Sequence, residues 1–185
     1  MPAAVTATKR GRCIRRPRFV VTHPNANTAV TPDQIALVRS SWPIAAANAD
    51  ALTSEFYERL FEIDPASALL FTGVDMGAQR KKVAQALAVV VAALDDPDRL
   101  LGALGSLAKR HVGYGVKDHH FATVGEALLG ALASSLPGQF TSELRDAWAE
   151  AYAIVASVMQ RAIARHALDS VQPAESSLPS SVDGG

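Results

Sequence analysis

The sequence has a single cysteine in 185 residues, which excludes a disulfide framework, a zinc knuckle and an iron–sulfur cluster held by the chain's own thiolates. It has no long apolar run. The longest strongly apolar uncharged stretch, Val83 to Leu94, is interrupted by Gln85 and falls well short of the roughly 20 residues a membrane-spanning helix needs. It has no internal repeat, no glycine-rich dinucleotide fingerprint and no segment of convincing period-two alternation, so neither a nucleotide fold nor a sheet is expected. Neither sign of charge is in excess: 18 Lys plus Arg stand against 18 Asp plus Glu. What is present is apolar bulk, at 49%, with 19% charge, which marks most of the chain as globular. The length supports one domain with tails, and 34 alanines favour helix before any pattern is considered.

The neutral balance averages over unlike parts. Residues 1–30 hold six basic residues (Lys9, Arg10, Arg12, Arg15, Arg16, Arg18) and no acid, so residues 31–185 carry a net charge of −6. A basic arm can attract nucleic acid or an anionic surface. This one lacks aromatic interleaving and a helical stripe, so it reads as a solvated disordered arm with no sequence-specific nucleic-acid partner. Arg15-Arg16 with Phe19 faintly resembles a twin-arginine signal, and an acid-free arginine-rich start also describes a transit peptide. The stretch after it contains His23, Pro24, Asn25 and Asn27, a poor export segment, so a cytoplasmic location is expected. Residues 169–185 are rich in Ser, Pro and Gly and read as a disordered tail. Residues 31–168 form the expected compact domain, and Cys13 falls outside it.

Within that unit the fold class is all-α, with about six main helices. Thr31-Pro32-Asp33-Gln34 is a helix start with a capping box, and Pro43 is expected to break or kink that helix. A second helix is expected from about Ile44 to Phe61, then a short helical turn from Asp64-Pro65 to near Phe71. The next helix runs from about Ala78 to Leu94, with Gln79 and Val83 on one face. Leu100, Leu104, Leu107 and His111 make the face of another, ended by Gly113 and Gly115. Asp118 is the expected N-cap of a helix carrying Phe121 and Val124, and Thr141 the cap of the last one.

His111 is the informative residue. A lone histidine on an apolar face is more often a hydrogen-bonded core group than a ligand. His119 and His120 together, and His166 near the end of the last helix, do not make a metal-binding spacing such as His-x-x-x-His on one face. Gln79, however, precedes His111 by 32 residues on a separate helix. Two such helices can hold these side chains on opposite sides of a flat object, with Phe71 and Tyr57 closing the space above. A flat iron-centred cofactor with one protein ligand and one open position would suit that arrangement.

Several runs then resemble one family in the right order. Lys109-Arg110-His111-Val112-Gly113-Tyr114-Gly115-Val116 and Phe121-Ala122-Thr123-Val124-Gly125-Glu126-Ala127-Leu128-Leu129 resemble the proximal region of a globin. Glu55-Phe56-Tyr57-Glu58-Arg59-Leu60-Phe61, Asp64-Pro65 and Leu70-Phe71 resemble its distal side, and Ala147-Trp148-Ala149-Glu150-Ala151-Tyr152 its last helix. The likeness covers about residues 31–168. It is closest to bacterial single-domain haemoglobins and the globin domain of flavohaemoglobins, with similarity to neuroglobin around His111.

The resemblance implies haem b (iron protoporphyrin IX), with His111 as the proximal iron ligand. It implies that Phe71 stacks on the porphyrin and that Gln79 and Tyr57 face bound ligand, Tyr57 as a hydrogen-bond donor to oxygen. Val83 matches an apolar residue over the iron, and Leu107, Val116, Phe121 and Val124 match pocket walls. Their other reading is ordinary core, and both can hold together. Lys82 matches a position near the haem edge; Lys109, Arg110, Tyr114 and Lys117 are weaker candidates for meeting a propionate. Gln79 in place of a distal histidine excludes bis-histidine ligation from that position.

Two departures stand out. A tyrosine and a glutamate that surround the proximal histidine in flavohaemoglobins are matched here by Phe121 and Ile163, which weakens any peroxidase-like push on the iron. No flavin or nicotinamide segment follows the globin-like part, so any reductase is expected to be a separate protein. The implied partners are oxygen, nitric oxide and other diatomic gases, an external reductase, and a second copy of the chain as a homodimer. Three functions compete: reversible oxygen storage or delivery, nitric oxide dioxygenase activity, and a haem-free interaction or sensor module on the same helices.

Overall fold

The computed structural model describes residues 30–114 and 116–169. The expected basic arm and C-terminal tail, with Cys13 and His23, lie outside them apart from Val30 and Asp169. Six α-helices and one 3₁₀ helix follow in order: α1 Pro32–Ala46, α2 Ala49–Ile63, the 3₁₀ helix Pro65–Phe71, α3 Met76–Ala93, α4 Pro97–Gly113, α5 Asp118–Ser135 and α6 Ser142–Asp169. No strand occurs among the described residues. No helix among them is long and apolar enough to cross a membrane.

The start of α1 has the expected capping box: Thr31 Oγ1 accepts the Gln34 N–H at 3.3 Å, and Gln34 Oε1 accepts the Thr31 N–H at 2.9 Å. Pro43 does not break this helix. It lies in the last turn, where its fixed φ already suits a helix and only one bond is lost. The break falls instead at Ala47–Asn48, where Asn48 leaves helical geometry and its side chain caps Ala51, so α2 starts at Ala49 rather than near Ile44. Asp118 is likewise not the cap of α5 but its first residue. The extended Lys117 precedes it and donates its N–H to His120 Nδ1 at 3.0 Å. Thr141 does cap α6, accepting from Leu144. Pro137-Gly138 ends α5 with Gly138 at φ 74°, a conformation that glycine adopts without cost.

Two apolar cores result. The larger joins α1, α2, α5 and α6 through Val38, Leu52, Phe56, Leu132, Leu136 and Trp148. The smaller joins the end of α3 to α4 and α6 through Ala93, Leu100, Leu104, Ala108 and Met159. Arg39 on α1 fixes the end of α3. It donates to the Val91 and Ala92 carbonyls at 3.3 and 3.1 Å and to Asp95 Oδ2 at 2.7 Å, which satisfies two acceptors that a helix end leaves open. Gly130 on α5 gives Arg59 of α2 its path: a Cβ there would stand 2.9 Å from the Arg59 Cδ. Arg59 then reaches Glu55 at 2.7 Å and Ser134 at 3.2 Å.

A polar link deep in the larger core is Trp148 Nε1 donating to Ser41 Oγ at 3.0 Å, with Ser41 in turn donating to the Val38 carbonyl. Removing Ser41 leaves the buried indole N–H unsatisfied. Ser41→Ala is therefore expected to cost about 1–2 kcal/mol. The check is urea unfolding, in which the midpoint should fall and the slope stay constant. An unchanged midpoint would mean the indole finds another acceptor.

Candidate functional site

α3 and α4 meet near their shared corner, where Val90 and Ala93 pack with Leu100 and Leu104. Away from that corner they belong to different cores. Val83 and Leu87 of α3 pack on the larger core, whereas Leu107 of α4 packs on the smaller. Phe71, Gln79, Val83, Leu107, His111, Val116, Phe121 and Val124 are each half-buried. Val124 joins Val83 on the larger core, and Phe121 joins Leu107 on the smaller. Val83 and Val124 thus pack on one core, and Leu107 and Phe121 on the other.

His111 sits on the last full turn of α4. Its Nδ1 lies 3.0 Å from the Leu107 carbonyl, four residues back. A carbonyl only accepts, so Nδ1 carries the proton and Nε2 presents a free lone pair. Burial holds the ring below its ordinary pKa, against the opposing pull of the Leu107 bond and with help from the nearby Arg110 charge, so the imidazole is neutral at neutral pH. Tyr114 packs its ring against His111, with centroids 5.7 Å apart. A neutral imidazole with a fixed tautomer is what a metal ligand requires.

Tyr57 is buried on α2 among aromatic rings. Its centroid lies 4.9 Å from Phe56, 5.8 Å from Phe61 and 5.3 Å from Phe71. Burial pushes its phenol pKa up. The Gln79 side-chain amide, close enough to the phenol to act on it, pulls it back in part. The hydroxyl therefore stays protonated and remains a donor. Tyr57, Gln79 and Phe71, from three separate elements, lie close together. Lys82, next to Val83 on α3, is exposed, as are Lys109, Arg110, Tyr114 and Lys117.

A separate cavity of about 700 Å³ opens between the start of α1, the α3–α4 corner and α6, lined by residues that include Val30, Ile35, Arg39, Leu100 and Ile154. None of the candidate residues lines it.

A family model described as globin matches residues 54–159. The chain belongs to the globin family. The matched part of this globin runs from α2 into α6 and includes every candidate residue named above. The chain is 34% identical to a flavohemoprotein of Rhodopirellula baltica over 126 residues, which is 67% of this chain and 31% of the relative. A flavohemoprotein of Deinococcus radiodurans is 33% identical over 132 residues, 70% of this chain and 33% of the relative. One of Bordetella pertussis is 35% identical over 132 residues, again 70% and 33%. The chain spans about a third of the length of these curated relatives.

Three participants escaped the sequence reading. The Leu107 carbonyl sets the His111 tautomer; an i−4 spacing in a helix makes this contact available, but nothing in residue type announces a backbone acceptor. Phe61 packs on both Tyr57 and Phe71, at 5.8 and 5.7 Å, and its spacing from Tyr57 was the available signal. Tyr152 on α6 donates its hydroxyl to the Phe121 carbonyl at 2.6 Å, and burial drives its phenol pKa far up. It ties α6 to the first turn of α5.

Proposed function

We propose that this globin binds haem b between α3 and α4, with His111 as its protein ligand, and that it binds oxygen reversibly to store or deliver it. The observation that carries the reading is the His111–Leu107 hydrogen bond, which leaves Nε2 free on a neutral ring in a half-buried apolar setting. The residues fit the group. α4 offers a nitrogen ligand, α2 and α3 offer the buried Tyr57 phenol and the half-buried Gln79 amide, and the wall candidates are apolar. When bound, the haem supplies an iron with one coordination position open to a diatomic gas.

The chain's own residues do the rest. His111 holds the cofactor by one bond and, being neutral, adds no charge. Tyr57 stays protonated and donates a hydrogen bond to a ligand of partial negative charge. Gln79 lies beside that phenol, to hold it in position or to offer an amide donor of its own. Phe71, Val83, Leu107, Val116, Phe121 and Val124 would form walls that exclude water, and the exposed Lys82 would meet a propionate. The compact unit responsible is residues 31–168.

The likeness to flavohemoproteins favours a second reading, a nitric oxide dioxygenase. In it one nitric oxide, one oxygen molecule and one electron give nitrate, the electron coming from an external reductase. The same donors, Tyr57 and Gln79, would serve it. Rapid mixing of the oxygenated protein with nitric oxide, with nitrate measured over repeated cycles in the presence of a reductase, separates the two. Storage predicts a single equivalent of nitrate, and the enzyme predicts turnover. A haem-free module is tested sooner: haemin added to the purified protein is expected to give a Soret band, and no band would remove both haem readings.

A further inference from the structure

The two histidines that open α5 take no part in the pocket. Spacing along the sequence gave them no metal-binding pattern, yet the fold brings them to a third group. Asp64, between α2 and the 3₁₀ helix, contributes a carboxylate oxygen that lies with one ring nitrogen from each of His119 and His120, all within 4.8 Å of one another. Asp64 Oδ1 caps the 3₁₀ helix by accepting the Ala66 N–H at 3.2 Å. Its Oδ2 is, among the described residues, a buried side-chain atom with no hydrogen-bond partner, 3.9 Å from His120 Nε2. A buried carboxylate oxygen without a donor is costly, and a bound ion is one of the ordinary ways such an atom is satisfied.

We propose that Asp64, His119 and His120 hold a divalent cation of the zinc class. Two imidazoles and one carboxylate suit Zn²⁺, with water as the fourth ligand. Ligand atoms about 2.0–2.2 Å from zinc stand roughly 3.3–3.5 Å apart in a tetrahedron, so the three groups must draw together by about 1 Å. The exposed His119 ring has the freedom to do this. His120 must also exchange its tautomer. In the metal-free state Nδ1 accepts the Lys117 N–H, which puts the ring proton on Nε2 facing Asp64. Binding at Nε2 moves that proton to Nδ1, and the Lys117 amide, at an exposed helix start, turns to water. The site would fasten the start of α5, which carries Phe121, to the 3₁₀ helix, which carries Phe71.

The test is titration of chelator-treated full-length protein with zinc chloride, followed by calorimetry and by amide hydrogen exchange. Wild type is expected to bind one zinc equivalent more than Asp64→Asn or His119→Ala, or to bind that equivalent at least about tenfold more tightly. Zinc is also expected to speed exchange at the Lys117 amide in wild type only. Circular dichroism checks the fold of each variant. Should Asp64→Asn unfold, the exposed His119→Ala carries the comparison alone. Equal zinc stoichiometry and affinity in wild type and His119→Ala would overturn the assignment.

Discussion

Replacing His111 with glycine is expected to weaken haem retention by at least about 100-fold and to abolish the normal Soret band. Loss of a group that merely orients a metal ligand typically costs 10–100-fold, so loss of the proposed ligand itself sets that figure as a lower bound. Added imidazole should restore the band, because it returns the lost nitrogen ligand to the space that the half-buried ring vacates. Rescue by free imidazole separates a ligand from a core histidine, whose deletion would lower stability without responding to imidazole. A band unchanged in His111→Gly would sink the assignment. The pH dependence carries a second check. Burial lowers the His111 pKa in the folded state below its ordinary value of 6.5. The unfolded chain therefore binds more protons, and stability rises with pH where the two states differ. In the haem-free protein the contribution is complete above about 6.5 and is lost as pH falls from there toward the folded-state value. His111→Gly should flatten that acid limb.

How far the sequence foretold this site depends on what kind of signal each residue carries. Helical spacing alone put Gln79 with Val83 on one face and His111 with Leu107 on another, while the roles proposed for them came from the family resemblance. Tyr57 and Phe71 were legible as aromatics, although their meeting depends on a 3₁₀ turn whose path no periodicity specifies. The tautomer of His111 was not legible, because it is set by a main-chain carbonyl that every residue possesses. Boundaries failed where two signals competed. Pro43 is a helix breaker by type, but in the last turn it removes a single bond and has little helix left to disrupt, and Asn48 made the break. Asp118 is a good cap by type, but Lys117 took the capping position because His120 could satisfy its amide. The Asp64–His119–His120 cluster was invisible for a different reason. Its members come from a loop and a helix start some 55 residues apart, and adjacent histidines show no common face until the fold supplies the third group.

Tyr57→Phe is expected to speed oxygen dissociation about 10- to 100-fold while leaving the fold nearly unchanged. A hydrogen bond to a partly charged acceptor contributes about 1.5–3 kcal/mol, and almost all of that is lost with the hydroxyl. The ring stays, so the contacts with Phe56, Phe61 and Phe71 that seat it are kept. The loss should therefore appear in the rate of leaving, measured by stopped flow against a ligand trap, and hardly in the urea midpoint. An unchanged dissociation rate would show that the phenol does not meet the ligand. Gln79→Leu is the informative partner. The amide acts on the phenol, so the two substitutions should not add. If Gln79 works chiefly by holding Tyr57 in position, the double variant will resemble Tyr57→Phe alone. If each donates separately, the double variant will release oxygen faster than either. The cycle thus tells a positioning amide from a second donor, a distinction that the shared location of the two side chains leaves to kinetics.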